Sequence, residues 1–141
     1  MIVLDTNVVS EILRPRRDLA VIAWLDRQAV ATLYIASVSM AELLAGAAYL
    51  PDGRRKAELR AAIDHVLKRL FSTRVLPFDA DAAHFYANMA SLARRAGVAI
   101  SVPDGQIAAI AAAHGFSVAT RDTAPFIAAG VPVVNPWLQG G

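Results

Sequence analysis

Four acidic residues occupy comparable places along the chain. Asp5 directly follows the apolar run MIVL, and Asp122 follows the predicted strand that ends at Ala119. Glu42 and Asp104 fall in the expected first turns of two helices that come after strands. Because the carboxyl ends of parallel strands share one edge of a sheet, where ligands bind, all four side chains are predicted to meet there.

Helix capping offers a simpler explanation for each acid taken singly. Ser39 with Glu42 fits a capping box, and Ser101 with Asp104 imitates one. Asp5 fits this explanation less well, since a cap at that point carries its charge close to the hydrophobic sheet edge. Both interpretations remain open at this stage.

The electrostatics of a four-carboxylate cluster decide what such a site needs. Two carboxylates about 6 Å apart repel each other by roughly 3 kcal/mol at an effective dielectric constant of about 20. Helix dipoles, at about 0.3 to 1 kcal/mol each, do not offset this. Either some acids stay protonated or a divalent cation neutralises them, and oxygen-only ligands favour Mg²⁺ or Mn²⁺ over Zn²⁺. A hard cation of this kind suits phosphoryl chemistry.

Alternating strands and helices must position these acids. Apolar and β-branched runs predict strands at residues 1–4, 32–36, 74–76, 116–119 and 131–134. Apolar residues at helical spacing follow the first strand. Further helices are predicted over 19–28, 37–49, 54–71, 80–96, 101–114 and a short stretch before Gly130. The pattern predicts an α/β fold, a three-layer α/β/α sandwich with a mostly parallel central sheet.

Length and composition bound the class of protein. The chain has 141 residues, is 56% hydrophobic and carries a formal charge of +2, which predicts one domain spanning 1–141 without a strongly basic coat. It has no cysteine, which excludes disulfides, thiolate metal sites and cysteine nucleophiles. No apolar run approaches the roughly 20 residues of a membrane helix, so a cytoplasmic protein without membrane contact is expected.

The other candidates for chemistry are weak. His65, His84 and His114 lack metal-ligand spacing, and no nucleophile elbow, dinucleotide fingerprint or P-loop occurs. Arg121 either contacts a substrate phosphate or pairs with an acid, with nothing to choose between the two. The aromatic residues are expected to pack in the core or at a dimer contact rather than to stack bases; they are Trp24, Tyr34, Tyr49, Phe85 and Tyr86.

Four segments in order, VLDTN, SVSMAEL, VPDGQIAAIAAAHG and VATRDTAPF, closely resemble the PIN-domain nucleases, in particular the VapC-like toxins and their FitB branch. The resemblance spans essentially the whole chain. It implies that Asp5, Glu42, Asp104 and Asp122 are catalytic residues and metal ligands, and that Thr120 is the family's hydroxyl before the fourth acid. Many relatives instead carry asparagine at the position of Asp122.

The resemblance also implies a function. Family members are ribonucleases that use one or two Mg²⁺ or Mn²⁺ ions to activate water, usually form homodimers, and act as toxins. A cognate antitoxin with a DNA-binding part, of ribbon-helix-helix or AbrB-like type, blocks the site. We expect an antitoxin segment to dock in an apolar groove between the helix after Ser39 and the helix beginning near Arg54, with Leu44 and Tyr49 as contacts.

Two other function classes stay open at the level of sequence. One is a regulatory module that binds Mg²⁺ without hydrolysing RNA, and the other is a small-molecule phosphatase of the haloacid dehalogenase type. The second lacks the expected D-x-D pair, because DTN stands in its place. Cleavage of RNA or of phosphomonoesters separates these functions.

Overall fold

Five short strands form one sheet in the computed structural model, which describes residues 1–139. They are β1 (Ile2–Leu4), β2 (Leu33–Ala36), β3 (Val75–Leu76), β4 (Ser117–Ala119) and β5 (Val133–Val134). The strand order is β3-β2-β1-β4-β5, and every pair is parallel. The predicted parallel sheet is confirmed. β5 begins two residues later than predicted, because the Val131 N–H donates to the carbonyl of Phe126 rather than to a strand.

Within residues 1–139, seven α-helices connect and cover the strands. They are α1 (Thr6–Ile12), α2 (Leu19–Asp26), α3 (Ser37–Ala48), α4 (Arg54–Val66), α5 (Ala80–Arg95), α6 (Val102–His114) and α7 (Thr123–Ala128). α6 ends at Gly115, whose φ of 69° is the left-handed conformation that favours glycine.

The helix predicted over 54–71 ends at Val66 and continues as a π-helical turn, Leu67–Phe71. Ser72, with φ of 53°, stops this turn. The Arg74 guanidinium then donates to the carbonyls of Leu70 and Leu33 and so ties the turn to β2. Periodicity alone does not show where a helix widens, because the apolar residues of the turn continue the same face.

Two apolar layers lie on opposite faces of the sheet, as a three-layer sandwich requires. Val3 and Val118 belong to the cluster under α5, α6 and α7, whereas Leu4 and Ala119 belong to the cluster under α1 to α4. This alternation follows from the period of two along a strand. Within residues 1–139 no helix is both long enough and apolar enough to cross a membrane.

The central position of β1 determines which chain segments meet at the edge of the sheet. β1 pairs with β2 on one side and with β4 on the other, and Leu4 lies opposite Ala119. The Asp5 N–H continues the ladder by donating to the Ala119 carbonyl at 2.9 Å. The residues that follow β1, β2 and β4 are therefore neighbours although they are far apart in sequence.

Candidate active site

Asp5 is held at the end of β1 as the N-cap of α1. Its side chain is only 4% exposed. Oδ1 accepts a hydrogen bond from the Thr6 N–H at 2.7 Å, and Oδ2 accepts one from the Thr120 hydroxyl at 2.8 Å. Asp5 thus caps a helix and also presents a buried carboxylate at the sheet edge, so the two interpretations of this residue are compatible.

Thr120 connects three segments of the site through one fully buried hydroxyl. Its oxygen donates to Asp5 and accepts from the Asn7 side-chain amide at 3.3 Å and from the Asp122 N–H at 3.1 Å. A hydroxyl has one donor and two acceptor sites, so all of its hydrogen-bonding capacity is used. Thr120 therefore fixes the end of β4 against the start of α1.

Glu42 reaches the site from the second turn of α3, and the predicted capping box is wrong. The helix begins at Ser37 with Ala36 as its N-cap, which places Ser39 inside the helix, where its buried Oγ has no hydrogen-bond partner. Glu42 Oε1 instead accepts from the Thr6 hydroxyl at 3.0 Å. Thr6 therefore orients Glu42 as well as Asp5.

Asp104 lies in the first turn of α6, as predicted. Its backbone N–H donates to the Oγ of the N-cap Ser101 at 3.2 Å, which forms one half of a capping box. Burial raises the pKa of Asp104, a side-chain hydrogen bond between the Ser101 hydroxyl and the Asp104 carboxylate lowers it, and the negative charge of Asp122 raises it further.

Asp122 occupies a different position from the other three acids. It is the N-cap of α7, but its exposed side chain makes no capping hydrogen bond. It lies close enough to Asp104 to raise the pKa of that residue, yet it does not line the pocket that the other three share. The structure thus groups Asp5, Glu42 and Asp104, with Asp122 beside Asp104.

The three grouped carboxylates line an open cavity of about 390 Å³ at the carboxyl edge of the sheet. Among residues 1–139, none of the four predicted acids lies within salt-bridge distance of a Lys, Arg or His. In the same part of the chain, no three acidic or histidine side chains are close enough together to form a preformed metal site. The negative charges therefore share a pocket without forming a closed coordination sphere.

Burial raises the pKa of Asp5 from 3.8 to about 6. Hydrogen bonds from Thr120 and Thr6 lower this pKa, and the negative charges of Asp104 and Glu42 raise it. The carboxylate form of Asp5 is thus disfavoured in the isolated chain. A cation bound in the pocket would remove the penalty, because opposite charge stabilises the ionised form.

The donor set fits a hard divalent cation. The side chains that could hold it offer only oxygen atoms, namely the carboxylates of Asp5, Glu42 and Asp104, with Asp122 adjacent. Oxygen ligands of this kind suit Mg²⁺ and Mn²⁺. None of the three histidines lines the pocket.

A model of the PIN domain matches residues 2–131. The chain belongs to the PIN-domain family. This PIN domain is 47% identical over 137 residues to the VapC ribonuclease Y4jK of Sinorhizobium fredii, a match that covers 97% of this chain and 98% of the relative. It is 45% identical over 137 residues to the toxin FitB of Neisseria gonorrhoeae, covering 97% of this chain and 99% of that protein.

The fold of this PIN domain is also that of a solved complex. A structure of FitAB bound to an IR36 DNA fragment matches with a TM-score of 0.91 and 44% identity, covering 97% of this chain and 96% of that chain. The resemblance predicted from the four sequence segments is confirmed at the level of the family and the fold.

Several residues that sequence reasoning did not select also line the acidic pocket of this PIN domain. Glu11 of α1 lines it, as do Arg14, two residues beyond the end of α1, and Trp137, which follows β5. The Glu11 to Arg14 spacing of three residues, typical of a helical ion pair, is the only sequence signal for this pair. Arg121 does not pair with an acid within the described residues; its guanidinium lies 5.2 Å from the centre of the Trp137 ring.

An apolar groove adjoins the acidic pocket, but its lining differs from the prediction. It runs between α1, α3 and α4, and its apolar lining includes Leu43, Ala47, Leu59 and Ile63. Neither Leu44 nor Tyr49 lines it. Leu44 packs on the core instead, and Tyr49 is 85% exposed at the end of α3.

The other aromatic residues divide between core and surface. Trp24 is buried in the core, and Tyr34 packs against Phe116 with ring centres 4.8 Å apart. Tyr86 packs edge-on against Phe78 and against Gly105, beside Asp104. Phe85 is 42% exposed on α5.

Proposed function

We propose that the chain is an endoribonuclease dependent on Mg²⁺ or Mn²⁺ and the toxin of a toxin–antitoxin pair. The observation that carries the proposal is the buried Asp5 carboxylate, which shares a pocket with Glu42 and Asp104 and has no cationic partner in the described chain. The ribonuclease and toxin relatives, each covering 97% of the chain, support the choice of RNA and of this role.

The chain's own residues divide the work of the proposed reaction. Asp5 and Glu42 are fixed by hydrogen bonds and would hold the cation, with Asp104 completing the donor set. When bound, the cation supplies an activated water and charge compensation for phosphodiester hydrolysis. Asp104 or Glu42 accepts the proton released by the attacking water. Attack of water on phosphorus with cleavage of the P–O3′ bond leaves a 5′-phosphate on one fragment and, once the leaving oxygen takes up a proton, a 3′-hydroxyl on the other.

Cleavage of a mixed RNA pool tests this proposal. We expect the parent chain to cut RNA in Mg²⁺ and not in EDTA, and both Asp5→Asn and Asp104→Asn to lose cleavage while keeping the parent's circular dichroism spectrum. Asp64→Asn is a matched control, because Asp64 is an exposed acid on α4 outside the pocket. RNA cleavage that persists in EDTA or in Asp104→Asn contradicts the proposal. Hydrolysis of phosphomonoesters but not RNA indicates the phosphatase, and Mg²⁺ binding without either activity indicates the regulatory module.

An antitoxin segment is proposed to occupy the apolar groove between α1, α3 and α4. The groove is continuous with the acidic pocket, because Thr6, Ser10, Arg14 and Glu42 line both. A segment lying along it could therefore place a basic side chain among the carboxylates while its apolar residues cover Leu59 and Ile63. The solved FitAB complex, whose matching chain is 44% identical to this one, supports a protein partner of this kind.

Truncation of a groove residue tests this docking. We expect Leu59→Ala to weaken the complex with the DNA-binding protein encoded next to this chain by about tenfold, as loss of a buried apolar contact of about 1 to 2 kcal/mol implies. Tyr49→Ala is the control, because Tyr49 is more exposed and lies outside the groove. Equal effects of the two changes contradict the proposed site.

We also propose a homodimer. Phe85 and Leu92 are exposed on α5 seven residues apart, and the nearby α7 exposes Ile127, so one side of the chain offers large apolar side chains for a subunit contact. Sedimentation of the parent chain should give twice the monomer mass, and Leu92→Ser should shift it toward the monomer. A monomeric parent contradicts the dimer, and a dimer unaffected by Leu92→Ser places the contact elsewhere.

A further inference from the structure

Glu11 is a fourth acid lining the pocket, and its environment differs from that of Asp5, Glu42 and Asp104. Its side chain is 3% exposed, and it lies on α1 beyond Thr6, the residue that orients both Asp5 and Glu42. A buried carboxylate is stable only when it is paired or well hydrogen-bonded. Its partner is Arg14, whose Nη1 donates to Oε1 at 3.1 Å and to Oε2 at 3.2 Å.

Arg14 is thereby held at the pocket, and most of its guanidinium N–H donors are not used by Glu11. Only Nη1 is used by Glu11, and in residues 1–139 the other guanidinium nitrogens make no hydrogen bond. The side chain is 61% exposed, and it lines both the acidic pocket and the adjoining groove. A guanidinium has five N–H donors arranged as a fork that matches phosphate oxygens. Glu11 therefore orients a cation whose free donors are available to a ligand.

A second guanidinium lies at the same pocket on another chain segment. Arg121 follows β4, and its guanidinium stacks over Trp137, with 5.2 Å to the ring centre. Within the described residues it forms no salt bridge, so its charge is not neutralised by Asp122 or by another acid. Trp137 thus restrains Arg121 as Glu11 restrains Arg14, by a different interaction.

The pocket therefore combines Asp5, Glu42 and Asp104 with two restrained cations that leave these three acids unpaired. A polyanion approaching Asp5, Glu42 and Asp104 is repelled by them, and cations placed beside the acids offset this repulsion without occupying the metal-binding oxygens. Arginines that served only to neutralise the acids would form salt bridges with them. The observed arrangement, in which Arg14 is held by Glu11 and Arg121 by Trp137 rather than by Asp5, Glu42 or Asp104, is suited to binding a phosphate.

We propose that Arg14 and Arg121 form a phosphate clamp that binds the RNA backbone beside Asp5, Glu42 and Asp104, with Glu11 and Trp137 as the residues that position them. This inference rests on the proposed function, since it takes RNA to be the substrate. Phosphate contacts fix the register of a nucleic acid without reading its sequence, so the clamp places the scissile phosphate and leaves base preference to other contacts.

Salt-dependent RNA binding tests the clamp. A fluorescent single-stranded RNA of mixed sequence is titrated at several salt concentrations in Mg²⁺, with Asp104→Asn as a background that does not cleave. We expect Arg14→Ala and Arg121→Ala each to weaken binding about tenfold. Each change should also lower the slope of log affinity against log salt by about 0.7, the value for one phosphate contact on a single strand.

Arg60→Ala is the matched control for Arg14→Ala. Arg60 also contacts both oxygens of a carboxylate, that of Asp64, and has a similar exposure of 55%, but it lies outside the pocket. In the cleaving protein, Arg14→Ala and the conservative Glu11→Gln should raise KM for RNA several-fold with little change in kcat. A purely structural role for Glu11 would instead lower the amount of folded enzyme and leave KM unchanged.

The outcomes separate the clamp from the proposed function. If the parent cleaves RNA and both arginine variants bind like Arg60→Ala, the clamp is wrong and the function stands. If the parent, without the Asp104→Asn background, binds RNA through both arginines but never cleaves, the clamp stands and the nuclease proposal is wrong. Absence of RNA binding by the parent overturns the clamp, as does a salt slope that neither substitution changes.

Discussion

Replacing Asp5 with asparagine should make the metal-free protein more stable at alkaline pH, although it removes a residue of the proposed active site. Asp5 is buried, and its pKa is raised from 3.8 to about 6. At pH 8 the folded chain therefore carries a carboxylate that burial and neighbouring negative charges disfavour. At about 1.36 kcal/mol per pKa unit, the penalty is about 3 kcal/mol, and a neutral amide avoids it.

A lost hydrogen bond offsets part of this gain. In the Asp5→Asn chain, the oxygen of the new side-chain amide can still accept from the Thr6 N–H. Its NH₂ group, however, meets the Thr120 hydroxyl oxygen, which already accepts from Asn7 and Asp122. One hydrogen bond is worth about 1 kcal/mol. The net expectation for Asp5→Asn is about 2 kcal/mol of added stability at pH 8.

The sign of the effect should change with pH. The pKa of Asp5 is higher in the folded state than in the unfolded state, so the folded protein loses stability as the pH rises from about 4 to about 6. Well below pH 3.8, Asp5 is protonated in both the folded and the unfolded state, and the penalty disappears. There the variant should be less stable than the parent by about 1 kcal/mol, the value of the lost hydrogen bond.

Urea unfolding in EDTA at pH 4, 6 and 8 measures this difference. Asp18→Asn is the control, because Asp18 is also a helix N-cap but is exposed, and asparagine caps a helix as well as aspartate does. It should change stability by only a few tenths of a kcal/mol at any of the three pH values. If Asp5→Asn is destabilising by the same amount at pH 4 and pH 8, burial does not penalise the Asp5 charge and the electrostatic case for a cation fails.

Three further substitutions or conditions test the same structure. Mg²⁺ at about 100 times its Kd should raise the free energy of unfolding of the parent by about 2.7 kcal/mol, measured by urea titration, and an equal rise in Asp104→Asn would place the ion elsewhere. Thr120→Val should lower the free energy of unfolding by about 1 to 3 kcal/mol. It should also move the pH dependence of stability that is due to Asp5 to higher pH, because the Thr120 hydrogen bond lowers the pKa of Asp5. An unchanged pH dependence contradicts this. Gly105→Ala should destabilise the protein by about 1 to 3 kcal/mol in thermal or urea unfolding, because the added Cβ would lie 2.8 Å from the Tyr86 ring. A second change, Tyr86→Leu, should recover part of this loss. If Gly105→Ala leaves stability unchanged, the Tyr86 ring moves freely.

The amino-acid pattern was sufficient to predict most of the helices and strands of the fold. The strand at Ile2–Leu4 is apolar throughout because a parallel strand is covered on both faces, so its existence follows from local composition. The start of α6 follows from Ser101 and Pro103, and its end from Gly115. The start of α3 at residue 37 was also predicted, but its cap was not, since Ser39 has the type of a capping residue whereas Ala36 takes that place.

The candidate site was only partly accessible to sequence reasoning. The positions of Asp5 and Asp104 after a strand and at a helix start were predicted from local signals. Glu11 was not selected, because a glutamate on a surface helix has the same local sequence whether it faces water or a neighbouring segment. Its burial depends on what packs over α1, which is a property of the folded chain.

The sequence by itself determined the residues that could act, because side-chain chemistry and the ends of strands and helices are local properties. It supplied oxygen ligands, no thiols, and acids at strand ends. Only the tertiary structure decided that Asp5, Glu42 and Asp104 share a pocket, that Thr120 holds Asp5, and that Asp122 stands to one side. The physical reason is that the strand order, with β1 between β2 and β4, joins segments more than a hundred residues apart, and no local pattern encodes such a contact.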